Sequence, residues 1–190
     1  MAAAKQRCFW VSKDQIYIDY HDKEWGRPIH DDKLLFEFLV LESFQAGLSW
    51  LTVLKKRENF RKAFANFDAK KIAKFDKHKV EQLMQDAGII RNRLKIEAAV
   101  NNAKLFLQMQ KEFGSFDKYV WSFTAGKTIV NKPKDRSEYR ATTEISDAMS
   151  KDMGKRGFKF RGSTICYAFM QAVGIVDDHT ADCFRSLKKR

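Results

Sequence analysis

Residues 83–95, Leu83-Met84-Gln85-Asp86-Ala87-Gly88-Ile89-Ile90-Arg91-Asn92-Arg93-Leu94-Lys95, read as the end of one helix, a tight glycine-containing turn and the basic start of a second helix. Asp76 is placed to cap the first helix over Val80, Leu83 and Met84, and Gly88 to end it in a left-handed conformation open to a residue without Cβ. The second helix is expected from about Asn92 to Phe113, which puts a helix-hairpin-helix unit at about residues 80–105. Such a turn aims backbone N–H groups outward, backed by the positive end of a helix dipole. With Gly88 in the turn and Arg91, Arg93 and Lys95 alongside, it could grip a phosphate without reading bases. An ordinary helix–helix connection with solvated charges accounts for the same residues.

Outward from the hairpin, apolar residues recur at helical rather than alternating spacing, and Pro28 and Pro133 are the only prolines. The expectation is an all-α protein. Asp31 caps a helix through Leu34, Leu35, Phe38, Leu39 and Leu41, with Lys33 and Glu37 on its wet side. A second helix runs from Ser49 through Leu51, Leu54, Phe60, Phe64 and Phe67, with Lys55, Lys56, Arg57, Arg61 and Lys62 forming a basic face. Gly114 to Ala141 reads as loop and short turns. Helicity resumes at Thr143–Met153, breaks at Gly154 and Gly157, and returns from Ser163 to Gly174, with a frayed tail from Arg185 to Arg190. No repeat or Gly/Ser linker interrupts the chain. Residues 1–190 are expected as a single domain, a compact helical bundle of two lobes.

The 190 residues are 44% hydrophobic and 32% charged, which excludes disorder and collagen-like repetition. A net charge of +12 attracts polyanions, so nucleic acid is the first partner to consider. No apolar stretch approaches the roughly 18 residues of a membrane span, and no signal-type run opens the chain. A soluble cytoplasmic monomer with no membrane partner is expected.

Two residue sets carry chemistry. Cys8, His21, His179 and Cys183 form two pairs, Cys-x12-His and His-x3-Cys, whose two thiolates and two imidazoles match tetrahedral structural zinc. On a helix His179 and Cys183 would share a face, whereas the first pair needs a loop. A buried Cys8, an exposed His21 and two unrelated tail residues are the alternative. Cys166 stays outside the set as a small buried residue. The other set is Trp10, Tyr17, Tyr20, Trp25, Phe44 and Trp50 with the single carboxylate Glu42. Ring faces around a cavity suit a flat heterocycle, particularly a cation, and Glu42 could take its N–H edge. The alternative is that the rings are core and Glu42 lies at the surface.

Trp10-Val11, Tyr17 to Gly26 (YIDYHDKEWG), Gln45 to Trp50 (QAGLSW), Asp86 to Arg91 (DAGIIR) and Lys155 to Phe160 (KRGFKF) bring a further reading. From about Cys8 to Cys183 the chain closely resembles the bacterial DNA-3-methyladenine glycosylase I family. The resemblance implies a helix-hairpin-helix glycosylase fold and a structural zinc held by Cys8, His21, His179 and Cys183. It implies Glu42 and Tyr20 as hydrogen-bonding groups to an extruded base, Trp50 stacking on it, and Tyr17, Trp10 and Trp25 completing the wall. Leu48 would be the wedge entering the vacated stack.

Two departures from the wider superfamily stand out. Ile90 occupies the place of a second turn glycine, and Ala98 to Phe106 offers no counterpart to the usual catalytic Asp. N3-alkylated adenine is cationic and already a good leaving group, so less catalytic help is required. The expected function is base-excision repair of double-stranded alkylated DNA. The enzyme would be monofunctional: it flips 3-methyladenine into the pocket, hydrolyses its N-glycosidic bond and leaves an abasic site. Glu42 is the candidate catalytic residue, zinc is structural and no organic cofactor is implied. A non-catalytic sensor of alkylated DNA is the competing reading. A zinc hydrolase is disfavoured, because four protein ligands leave no position for an activated water.

Overall fold

The computed structural model describes residues 5–186 and is mostly helical, as expected. In chain order the helices are α1 (Gln15–Lys23), α2 (Asp32–Gln45), α3 (Trp50–Ala63), α4 (Ala69–Ile72), α5 (Lys77–Gln85), α6 (Arg93–Phe113), α7 (Phe116–Ser122), α8 (Glu144–Lys155) and α9 (Ser163–Ala172). Two short strands, β1 (Ile129–Val130) and β2 (Val176–Asp177), pair in parallel with Ile129 opposite Val176. Most helices start where a side chain can satisfy an orphan N–H. Asp31 accepts from Leu34, Asp76 from Lys79, Asn92 from Lys95 and Ser115 from Lys118, while Thr143 and Ser146 cap each other reciprocally.

Helix α2 is the axis of the fold. Every residue from Leu35 to Phe44 is buried, because α3, α6, α7 and α9 cover it on all sides. This overturns the wet position expected for Glu37, which is only 3% exposed. Its carboxylate accepts from Arg57 Nε at 2.6 Å and from Arg61 Nη2 at 2.7 Å. Arg57 Nη1 continues to Glu24 at 2.6 Å and its guanidinium lies over the Phe38 ring. Arg57 is thus buried rather than part of a solvated basic face, and the network ties the end of α1 to α2 and α3.

Other boundaries also move. The Ser49 helix stops at Ala63, four residues early, because Ala65, Asn66 and Phe67 turn left-handed with φ near 50°. The turn puts both Phe64 and Phe67 into the core, with nearly parallel rings 9° apart. Helix α7 lies where loop was expected, and its first N–H groups, from Phe116 and Asp117, are taken by the Asp32 carboxylate. Gly154 continues α8 instead of breaking it, and the Arg161 guanidinium occupies the space a Cβ there would need. Gly88 is not left-handed. Helix α5 ends at Gln85 with extended Asp86 as its cap, and Gly88 is required for a different reason: a Cβ would meet Asp86 Oδ1 at 2.9 Å and Asn59 Cγ at 3.1 Å. Of the tail read as frayed, Arg185 and Ser186 are instead tied by their N–H groups to Cys183, and residues 187–190 lie outside the described residues.

Candidate functional site

The last turns of α2, the inner face of α1 and the first residue of α3 converge on a cavity of about 300 Å³. Trp10, Tyr17, Tyr20, Trp25, Glu42 and Trp50 all line it, so the sequence set is brought together apart from Phe44, which packs in the core on Phe60. The rings stand edge and face to one another: Trp10 meets Trp25 at 4.8 Å and 76°, Trp10 meets Tyr17 at 5.1 Å, and Tyr20 meets Trp50 at 5.4 Å. Such a wall presents quadrupole faces inward, and the volume fits one planar heterocycle.

Glu42 is 3% exposed and has no hydrogen-bond partner among the described residues. Burial pushes its carboxyl pKa up to about 8, which favours the neutral acid at pH 7. Burial, then the nearby Glu42, also raises the Tyr17 and Tyr20 hydroxyls, keeping both as neutral donors. The Trp50 indole N–H is buried with no acceptor. A cavity with an unpartnered carboxyl and an unpartnered donor is built for a ligand that supplies both partners. A larger cleft of about 570 Å³ around Asp32 and Phe36 lacks this character, since the Asp32 carboxylate is already saturated by Gln110 and the α7 amides.

Beside the cavity, Cys8, His21, His179 and Cys183 are all buried and their donor atoms lie within 4.8 Å of one another. Irregular backbone over residues 8–14 gives the first pair its loop and leads into α1, which carries His21, while a turn rather than a helix brings His179 and Cys183 together. Cys183 Sγ lies 3.4 Å from His21 Nε2 and 3.5 Å from His179 Nδ1, and Cys8 Sγ lies 3.5 Å from the same Nδ1. Tetrahedral zinc with its usual bond lengths separates sulfur from nitrogen by about 3.6 Å. His21 Nδ1 donates to Asp22 at 2.8 Å, and Asp22 is held by Arg7 through two bonds. His179 Nε2 faces the Trp25 carbonyl at 3.2 Å. Each imidazole thereby turns a lone pair toward the thiols, the outer support a bound metal requires. The group fits a metal ion.

The hairpin joins α5 to α6. Asp86 Oδ1 accepts from Gly88 N–H at 2.7 Å, whereas the N–H groups of Ile90 and Arg91 have no acceptor among the described residues. Arg91 is exposed. Arg93 is exposed but paired with Glu81 at 2.6 Å and 2.8 Å. Lys95 departs from expectation: it is buried, and its ammonium donates to the carbonyls of Phe44 at 2.8 Å and Ala46 at 2.6 Å. It closes the C-terminal end of α2 and cannot also face a phosphate. Leu48 stands 40% exposed at the tip of the α2–α3 turn, fixed by two bonds to Gln45. Lys56, read only as surface charge, reaches the hairpin carbonyls of Ala87 and Gly88.

The sequence reading missed Phe9, Tyr139, Arg140, Ala168 and Gln171 in the cavity wall. Gln45 also lines it, and that residue did fall in a quoted motif, so there a signal existed. The others come from segments with no chemical pattern of their own.

A helical hairpin with open amides, together with an aromatic cavity that has room for one base and is lined by one carboxyl, is the arrangement of a DNA N-glycosylase. The methyladenine glycosylase family model matches residues 10–186, and the chain belongs to that family. It is 54% identical over 177 residues to a DNA-3-methyladenine glycosylase of Haemophilus influenzae, covering 93% of this chain and 96% of that one. It is 53% identical to DNA-3-methyladenine glycosylase 1 of Escherichia coli, over 94% and 95% of the two chains. Among solved structures, a 3-methyladenine DNA glycosylase I superposes with a TM-score of 0.94 at 50% identity, covering 96% of this chain and all of that one. The Staphylococcus aureus enzyme, whose structure concerns 3-methyladenine recognition, superposes at 0.93 with 38% identity over 98% and 100% of the chains.

Proposed function

We infer that this protein excises 3-methyladenine from double-stranded alkylated DNA, acting as a monomer in the bacterial cytoplasm. The observation that carries the reading is the Glu42 carboxyl, buried and unpartnered among ring faces in a cavity the size of one base. A 3-methyladenine nucleotide brings a fixed positive charge and an N–H edge. Ring quadrupoles attract the charge, and its arrival favours ionisation of Glu42, which then accepts the N–H. Tyr20, Tyr17, Trp10, Trp25 and Trp50 complete the grip. Cleavage sends the C1′–N bond pair onto the base, which leaves neutral, while water adds to the sugar and gives up a proton. Loss of the charge weakens the attraction to Glu42 and helps the product depart.

Among the described residues no lysine and no aspartate line the cavity, which supports a monofunctional hydrolysis that leaves an abasic site uncut. The open amides of the hairpin, with Gly88, Arg91 and Arg93 around them, anchor the phosphate backbone, and Leu48 enters the vacated stack. Cys8, His21, His179 and Cys183 hold a zinc ion that joins the two ends of the fold. A zinc with four protein donors stabilises structure and leaves the reaction to the cavity.

Chromatography of bases released from methylated duplex DNA, wild type against Glu42→Gln at equal salt, tests the reading. Release of 3-methyladenine by the wild type and much slower release by the variant is expected. Folded protein that binds such DNA and releases nothing would make it a sensor instead.

A further inference from the structure

Of the residues that line the cavity, only Phe9 and Arg140 are exposed, so these two mark its rim. Arg7, Arg61, Arg93 and Arg156 each pair with a carboxylate, whereas Arg140, like the exposed Arg91 and Arg136, has neither an ion pair nor a side-chain hydrogen bond among the described residues, and of these three it alone lines the cavity. Its position is nevertheless fixed. Tyr139 donates its hydroxyl to the Asp178 carbonyl at 2.6 Å and meets the Phe9 ring edge-on at 5.0 Å, and Thr143 caps α8 three residues later. A free cation on an anchored loop at the mouth of a cavity suited to a cationic base calls for an anion. Facing the base itself, Arg140 would repel it. A nucleotide turned into the cavity has its sugar at the rim and a phosphate just beyond.

We propose that Arg140 binds the phosphodiester flanking the extruded nucleotide, holding the flipped strand at the rim of the cavity. The proposal rests on the glycosylase reading above. It assigns Arg140 to the backbone and not to the base, and planar guanidinium geometry suits paired phosphate oxygens.

The test is binding to a duplex carrying a non-cleavable tetrahydrofuran abasic site, measured across a salt series. Wild type, Arg140→Ala, Arg140→Lys and the control Arg136→Ala are compared, and each is also titrated with free 3-methyladenine. Arg136 is exposed on the same segment and does not line the cavity. Arg140→Ala should weaken DNA binding several-fold and reduce the slope of log affinity against log salt by about 0.9, the value of one phosphate contact. Arg140→Lys should keep the slope, Arg136→Ala should leave it unchanged, and free-base affinity should be the same in all four. An unchanged slope in Arg140→Ala, or an equal fall in Arg136→Ala, overturns the proposal. Lost free-base affinity with intact DNA binding would overturn it too, placing Arg140 in the base wall. Because binding is read without catalysis, a wild type that releases no base would count against the glycosylase reading alone.

Discussion

Trp25 and His179 share one wall from opposite sides: their rings pack at 4.6 Å and 82°, and the Trp25 carbonyl accepts from His179 Nε2. Trp25 faces the aromatic cavity while His179 faces the two cysteines. Cys8 precedes Phe9 and Trp10 of the cavity, and His21 follows Tyr20. The Cys and His group and the cavity are therefore built from the same segments.

Metal removal should accordingly damage base binding as well as stability. Wild-type protein is expected to contain one zinc per chain. Cys183→Ser or strong chelation should lower Tm by roughly 10 °C and weaken affinity for free 3-methyladenine. Calorimetry and elemental analysis read the first, and tryptophan fluorescence titration the second. A Cys183→Ser protein with unchanged metal content and Tm would refute the assignment.

The Glu42 carboxyl sets a pH dependence with a definite sign. With its pKa pushed to about 8 by burial, it must lose a proton to pair with a cationic base. The kcat/KM for methylated DNA should thus climb through an inflection near pH 8 toward a plateau at higher pH, and Glu42→Gln should abolish the inflection. Stability runs the other way. Between about pH 4.5 and pH 8 the folded chain keeps a proton that the unfolded chain has lost, so stability falls as pH rises through that window. Glu42→Gln should remove this fall and be more stable above pH 8, by up to about 5 kcal/mol. Denaturant melts across the range would expose a wrong sign at once.

Lys95 and Arg91 are both cations of the hairpin segment, but their variants should fail differently. Lys95→Met leaves two carbonyls at the end of α2 without their donor, costing about 1–3 kcal/mol of stability with no change in the salt slope of DNA binding. Arg91→Ala should leave stability alone and lower the slope by about 0.9. Reversed outcomes would return Lys95 to the phosphate.

Arg57→Met leaves the buried Glu37 carboxylate with Arg61 as its remaining cation and should cost about 1–3 kcal/mol. Adding Glu37→Gln should restore much of the loss, which a double-mutant cycle on urea midpoints would measure. Additive losses would deny the coupling.

What could be read from the sequence was what local chemistry encodes. Asp31, Asp76 and Asn92 announce their helices because a cap acts on N–H groups two or three residues away. The four Cys and His residues and the aromatic set could be grouped because their side-chain types are scarce and share one chemistry. Glu37 could not be placed, because its burial depends on Arg57 and Arg61, 20 and 24 residues away. Helix α7 was hidden for the same reason, since its start is secured by Asp32, 84 residues before Phe116. Lys95 misled because a lysine at the start of a helix looks solvated until the α2 carbonyls it serves are seen. Arg140 gave no signal, as only the folded loop brings it to the rim.

The bonds from Lys95 to Phe44 and Ala46 also act as a gauge. They fasten the start of α6, where the open amides sit, to the turn that bears Leu48, so the two cannot shift independently. On the proposed reading, the grip on the backbone dictates which base step meets the wedge, by a spacing written into the protein and not into the DNA. A damaged base one step out of register would have to wait until the whole protein moved one step along the backbone, even though the cavity would accept it.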